Sequence, residues 1–257
     1  MDCKGGVSNV SDIVKVSWSG GKDSTCAVSE HIKLGHKVKA VCYIPMFTEE
    51  IPLISKAHYE FILRTADKFR AMGAEVHIVT GETYFHYVLR RSSRGKFKGR
   101  MFGFPHFARG QCGFKRDSKL KALANLDIGY YDYEDIGIAA DEVDRHAQLS
   151  DKKRSILCEL GITEDDALAR CLDRDILSPH YDYNERDGCS LCPNAKIAER
   201  ERWFRDYPEA IPLVLYLQQE VKQHRPNLFP LRDHKWFMAN DQGDPLTRSE
   251  WLDQLLQ

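Results

Sequence analysis

Along the first eighty or so positions two rhythms alternate, short apolar runs and longer stretches whose apolar residues recur three and four apart. Ile13, Val14 and Val16 predict a short buried strand over 13–18, leading into a helix from Asp23 to Leu34. A second strand is predicted from Lys37 to Ile44, helical periodicity covers 53–72, and a third strand runs from Glu75 to Val79. This βαβαβ order implies a parallel sheet with right-handed crossovers and a ligand at the carboxyl ends of its strands. Farther on, Ser118 to Asn125 reads as helical and Gly129 to Ile138 contains a further strand. From Lys152 the pattern turns mostly helical, with helix starts at Thr163-Glu164 and Pro193 and a final helix after Thr247. The expected fold is α/β, a Rossmann-like parallel sheet with a mostly helical C-terminal part. A nucleotide-binding domain is expected over 1–150 and a helical region over 151–257, without repeats or low-complexity tracts.

The chain has 257 residues, of which 42% are hydrophobic, enough for a sizeable core. No apolar run approaches the ~20 residues of a membrane span. The amino terminus Met1-Asp2-Cys3-Lys4-Gly5-Gly6 lacks an apolar signal-like stretch, so a soluble, cytoplasmic protein without a membrane partner is expected. A formal charge of −1 gives no global pull toward nucleic acid, so any basic patch is local. The best one lies between Arg90 and Lys121, where Arg90, Arg91, Arg94, Lys96, Lys98 and Arg100 precede Arg109, Lys115, Arg116, Lys119 and Lys121. Phe97, Phe102, Phe104 and Phe107 are interleaved, a mix that could stack bases while neutralising phosphates. A solvated loop and helix face is the competing reading.

The first strand ends in Ser19-Gly20-Gly21-Lys22-Asp23-Ser24-Thr25. Two glycines remove the Cβ atoms that keep an anion from the backbone, and a helix start offers N–H groups and a favourable dipole. Lys22 adds a positive charge, and Ser19 and Ser24 add hydroxyls. Asp23 suits a phosphate site only where it holds Mg2+. The spacing is not that of a Walker A loop, which has four residues between its first glycine and Gly-Lys-Ser/Thr. It resembles the PP-loop of the N-type ATP pyrophosphatases, which cleave ATP between the α and β phosphates and usually adenylate a substrate. That resemblance implies ATP and Mg2+ at Ser19 to Thr25, with Lys22 and Asp23 catalytic.

A second stretch, Gly137-Ile138-Ala139-Ala140-Asp141-Glu142-Val143-Asp144-Arg145, places a glycine at a strand end, where a ligand can approach the backbone. It resembles a segment of phosphoadenosine phosphosulfate reductase-like PP-loop proteins. The resemblance implies that Arg145 touches the nucleotide and Glu142 orients it. The residues themselves equally allow a helix start with Arg145 paired to an acid.

Eight cysteines in a chain expected to be cytoplasmic argue for thiol or metal chemistry at some of them. Cys26, Cys42, Cys158 and Cys171 sit in apolar or helical surroundings that suit inert core thiols, and Cys3 lies near the terminus. Cys189-Ser190-Leu191-Cys192-Pro193 is a Cys-x-x-Cys pair suited to one metal or cluster, and Cys112 lies in the basic segment. The layout resembles the cysteine plan of [4Fe–4S] sulfonucleotide reductases, except that Gln111 stands where their adjacent cysteine would be. Three cysteines are also the ligand number of PP-loop tRNA thiolation enzymes. The resemblance thus implies a [4Fe–4S] cluster on Cys112, Cys189 and Cys192. Zinc with His106 or His180 as fourth ligand, or a redox dithiol, stays open.

Glu159 to Ala167, Leu177-Ser178-Pro179, Tyr181 and Arg186-Asp187-Gly188-Cys189 extend the likeness toward the phosphoadenosine phosphosulfate reductase-like proteins, among them the DNA phosphorothioation PP-loop protein. Residues 195–257 match no motif, and Trp203, Trp236 and Trp251 there read as core or interface aromatics. No cysteine follows Cys192, whereas true sulfonucleotide reductases attack with one in a C-terminal tail. The expected function is an ATP pyrophosphatase that adenylates an acceptor and transfers sulfur to it from a sulfur donor through the cluster. The acceptor would be a nucleic acid or a small molecule, and a homodimer is open. The alternatives are a sulfonucleotide reductase, an adenylating ligase with structural zinc, and a non-catalytic nucleotide-binding subunit.

Overall fold

The computed structural model describes residues 12–105, 107–108, 111–183, 188–192 and 194–224. In chain order the elements are β1 (Ile13–Trp18), α1 (Lys22–Lys33), β2 (Lys37–Tyr43), α2 (Lys56–Ala71), β3 (Glu75–Val79) and α3 (Tyr84–Leu89). A short hairpin of β4 (Phe107–Ala108) and β5 (Gln111–Cys112) precedes a wide helical turn, Lys115–Leu120, that runs on into α4 (Lys121–Ala124). Then come β6 (Tyr133–Ile136), α5 (Val143–His146), β7 (Lys153–Arg154), α6 (Ile156–Glu159), α7 (Glu164–Asp173), α8 (Ile197–Asp206) and α9 (Ala210–His224).

The contacts divide the chain into two compact units, each drawn from three stretches: 1–44, 57–79 and 125–187 in the first, and 45–56, 80–124 and 188–257 in the second. The division does not follow a single cut at 150. Helices α6 and α7 belong with the sheet, and the basic segment belongs with the C-terminal helices.

The first unit is the expected α/β fold. Its five-stranded, all-parallel sheet has the order β3-β2-β1-β6-β7, so the winding reverses direction at β1. Val14 and Val16 of β1 are wholly buried, while Lys15 and Ser17 on the alternate positions bind Glu134 of β6 at 3.2 and 2.7 Å. Helix α1 buries an unbroken run from Ser24 to His31 and packs against α6 and α7. Its buried Glu30 is held by Arg170 of α7 and by Arg174 just past the end of that helix, at 3.1 and 2.5 Å. Thr163 caps α7 in a reciprocal box with Asp166, which is why the helix starts where its sequence predicts. The helix predicted over 53–72 begins instead at Lys56, because Met46 and Pro52 pair across a turn and Leu53 donates its N–H to the Pro45 carbonyl. The helix starts predicted at Pro193 and after Thr247, and Cys3, Trp236 and Trp251, lie outside the described residues.

A polar chain runs through this core. His31 Nδ1 meets His36 Nδ1 at 2.8 Å, His31 Nε2 lies 3.2 Å from Asp135 Oδ2, and that oxygen accepts the Ile156 N–H at 2.7 Å. Burial, then the neighbouring His31, holds the His36 pKa below its ordinary 6.5, against the weaker pull of Asp12 and Asp135. The unfolded chain therefore binds a proton at mildly acidic pH that the folded chain refuses. The contribution is intact above the unfolded value of about 6.5 and is lost as pH falls through the depressed folded one. Melting temperature is expected to drop between pH 7 and 5, and His36→Gln should flatten that slope. An unflattened slope in calorimetry would assign the acid sensitivity elsewhere.

The second unit centres on aromatic residues. Trp203 is fully buried, donates its indole N–H to the Pro52 carbonyl at 2.9 Å and meets Phe47 edge to face at 5.3 Å. Tyr84 and Tyr87 of α3 pack edge to face on Phe114.

Candidate nucleotide loop and cysteine cluster

Residues 19–24 leave the carboxyl end of β1, beside β6, which is the reversal point where open parallel sheets bind ligands. Gly20 has φ +82°, a left-handed conformation, and a Cβ there would lie 2.8 Å from both His58 and Ile62 of α2. Gly21 begins α1 in extended conformation with no side-chain cap, so the first amides of the helix are left to other partners. One is the Lys22 N–H, which donates to the Tyr181 hydroxyl at 2.9 Å. Ser24 closes the loop: its hydroxyl accepts the Ser19 N–H and donates to the Gly21 carbonyl, each at 3.1 Å. Thr25 accepts the Trp18 indole N–H at 2.9 Å, fixing the helix to the end of β1.

Lys22 Nζ reaches Asp23 at 2.8 Å and Glu164 of α7 at 2.9 Å. Burial works against its ammonium, but the hydrogen bonds to these two carboxylates outweigh it and raise its pKa. Burial lifts the Asp23 carboxyl above the usual range, Lys22 opposes the rise, and Glu164 and Glu142 add to it. One ammonium thus faces more carboxylate than it neutralises, and a divalent cation on Asp23 would relieve the excess. The residues fit Mg2+ in that sense.

The second stretch behaves differently. A Cβ on Gly137 would lie 2.5 Å from Ser24 N, 2.6 Å from Ser24 Cα and 2.8 Å from the Asp23 carbonyl carbon. What approaches this glycine is the backbone of α1. Glu142 stands before α5, accepts the Ala139 N–H at 3.2 Å and pairs with Arg145, whose side chain is largely exposed. Asp141 accepts the Glu164 N–H at 3.1 Å. Arg145 would have to leave Glu142 to touch a nucleotide.

Tyr181 and Glu164 both bind Lys22, a place at the loop that the sequence alone did not assign to either. Glu164 carried a signal as the first residue of a capped acidic helix. Tyr181 carried none beyond its place in the resemblance, since 159 positions separate it from Lys22. Around it, Ser178 Oγ lies 2.8 Å from His58 Nδ1, and the His58 and His180 rings are 5.3 Å apart. The Cys171 thiol donates to the Lys22 carbonyl at 3.2 Å, a structural use for one of the four cysteines buried among the described residues.

Cys112, Cys189 and Cys192 belong to the second unit. Cys112 ends β5, and Cys189 and Cys192 lie on a turn closed by the Cys192 N–H to Cys189 carbonyl bond at 2.9 Å. Ser190 N–H donates to the Leu53 carbonyl at 2.8 Å, and Cys112 and Cys189 pack on the aromatic core. Burial pushes the Cys189 thiol up to about 12, and Cys192 and Cys112 both add to the rise while Lys119 opposes it. Three thiols that feel one another beside a lysine are a donor set of the right chemistry for a soft metal centre. Among the described residues no three His, Cys, Asp or Glu form a group that could hold a metal ion. His106 and Arg186-Asp187 lie outside the described residues. Protein-family models and curated proteins gave no match to the chain. No helix among the described residues is long and apolar enough to cross a membrane.

Proposed function

We propose that the protein is a PP-loop ATP pyrophosphatase that adenylates an acceptor. The observation that carries this reading is a left-handed Gly20 and an uncapped Gly21 opening α1 at the reversal point of a parallel sheet, with Lys22 and Asp23 on the first helical turn. The α and β phosphates would lie against the amides of the α1 start, taking the place of the Tyr181 hydroxyl on the Lys22 N–H. Lys22 would turn from Glu164 to the phosphates, where its charge counters the charge that grows on the leaving pyrophosphate. Asp23 would hold Mg2+. An acceptor oxygen or amide attacks the α phosphorus, the bond to the bridging oxygen breaks, and pyrophosphate leaves. Release of one pyrophosphate per AMP group transferred from ATP to an added acceptor is the test, and release of ADP and phosphate would overturn the reading.

The finer part of the proposal is sulfur transfer. Cys112, Cys189 and Cys192 would hold a [4Fe–4S] cluster, whose open iron supplies a site for sulfur when it is bound. Anaerobically purified protein is expected to contain about four irons per chain for such a cluster, and Cys189→Ser to lose most of them. Iron content unchanged in that variant, or one zinc and no iron, would remove the cluster from the proposal.

A further inference from the structure

The cations of the basic segment fall into two groups. Arg90 binds Glu82 and Asp117 at 2.6 and 2.5 Å and covers the Phe102 ring at 4.2 Å, and Arg116 binds Asp117 at 2.7 Å. These are structural. Five more, Arg91, Arg94, Lys96, Lys98 and Arg100, stand on a narrow finger, 91–101, closed at its base by antiparallel pairing of Arg91 with Met101. Ser92 N–H donates to the Arg100 carbonyl at 2.8 Å and Gly99 N–H to the Ser92 carbonyl at 2.7 Å, while Gly95 and Gly99, at φ +67° and +79°, turn the tip. Arg94, Lys96, Lys98 and Arg100 are exposed, and no carboxylate pairs with them among the described residues. No acid stands between Glu82 and Asp117 in the sequence. Phe97 at the tip is 49% exposed, with Lys96 Nζ and Arg100 Cζ 5.1 and 5.4 Å from its ring centre.

We propose that the finger 91–101 binds single-stranded nucleic acid, Arg94, Lys96, Lys98 and Arg100 contacting phosphates and Phe97 stacking on a base. Holding four like charges on one short loop is repulsive, and a polyanion is the partner that reverses the sign. An aromatic ring between cations is the combination that grips an unstacked strand. A membrane would use the same phosphates, but the finger carries one exposed aromatic and no apolar face to insert. The proposal rests on the adenylation reading only in making the nucleic acid the acceptor. Binding itself is measured without ATP, and so stands or falls separately.

Fluorescence anisotropy of labelled 20-mer oligo-dT and oligo-U with the full chain is the experiment. Four neutralised phosphates at about 0.7 each predict a log–log salt slope of roughly −3, or about 60-fold weaker binding at 200 than at 50 mM salt. Joint Arg94→Ala, Lys96→Ala and Lys98→Ala should reduce the slope by about 2. Phe97→Ala should weaken binding about tenfold with the slope kept. These side chains are exposed, and an unchanged melting temperature confirms the fold. Binding to either oligonucleotide with these variant effects supports the proposal, and the preferred sugar names the source as DNA or RNA. No binding, or a slope untouched by the triple variant, overturns it. Binding of phosphatidylserine vesicles but not oligonucleotides, lost in the triple variant, would overturn it in favour of a lipid surface.

Discussion

Lys22→Ala is expected to slow pyrophosphate release from ATP by about 10²–10³-fold, the usual effect of removing one preorganised charge from a transition state. The ammonium sits at the Ser19–Ser24 loop, tied among the described residues to Asp23 and Glu164. Both carboxylates are partly solvated, so their loss of a partner should leave the fold intact. Glu164→Gln gives the complementary result: it frees Lys22 without removing it, and release should persist. Assays of pyrophosphate release, with circular dichroism as a control, read both. Undiminished release in the lysine variant would place the chemistry away from this loop.

The second large effect is on stability. Gly137→Ala should cost about 3 kcal/mol, at the upper end of overpacking penalties, and lower the melting temperature by roughly 6–12 °C. The added methyl meets the backbone of Asp23 and Ser24, which cannot rotate aside as a side chain could. It would also push the start of α1 out of place, so nucleotide affinity should fall along with stability. Gly161→Ala is the control: it pays for φ +65° but meets nothing within 4 Å, and should cost only about 1–2 kcal/mol. Equal losses in the two variants would show that Gly137 is not a contact point.

The sheet was legible because its strands and helices announce themselves locally. Val14 and Val16, the Gly20-Gly21 pair and the Thr163 box each fix an element from neighbouring residues alone. What local pattern does not carry is which distant segment completes a site. Tyr181 reaches the Lys22 amide, and Glu164 its ammonium, through tertiary packing that leaves no periodic trace. Gly137 was readable as a close-approach position, but one glycine serves a ligand or a helix equally well, and here the helix occupies the space. The interleaving of the two units was hidden for the same reason, since apolar residues such as Leu53 and Ile54 look alike whichever core takes them.

That interleaving bears on how the chain is made. When β3 leaves the ribosome, β1 has β2 on one side, but its other edge waits for β6, residues 133–136. At synthesis rates of about 5–20 residues per second, the intervening stretch keeps the hydrogen-bonding edge of Val14 to Ser17 open for several seconds. The nascent protein is therefore most vulnerable to strand-to-strand aggregation in that interval. Holding the half-built sheet until Tyr133 arrives is the step at which a chaperone would raise its yield.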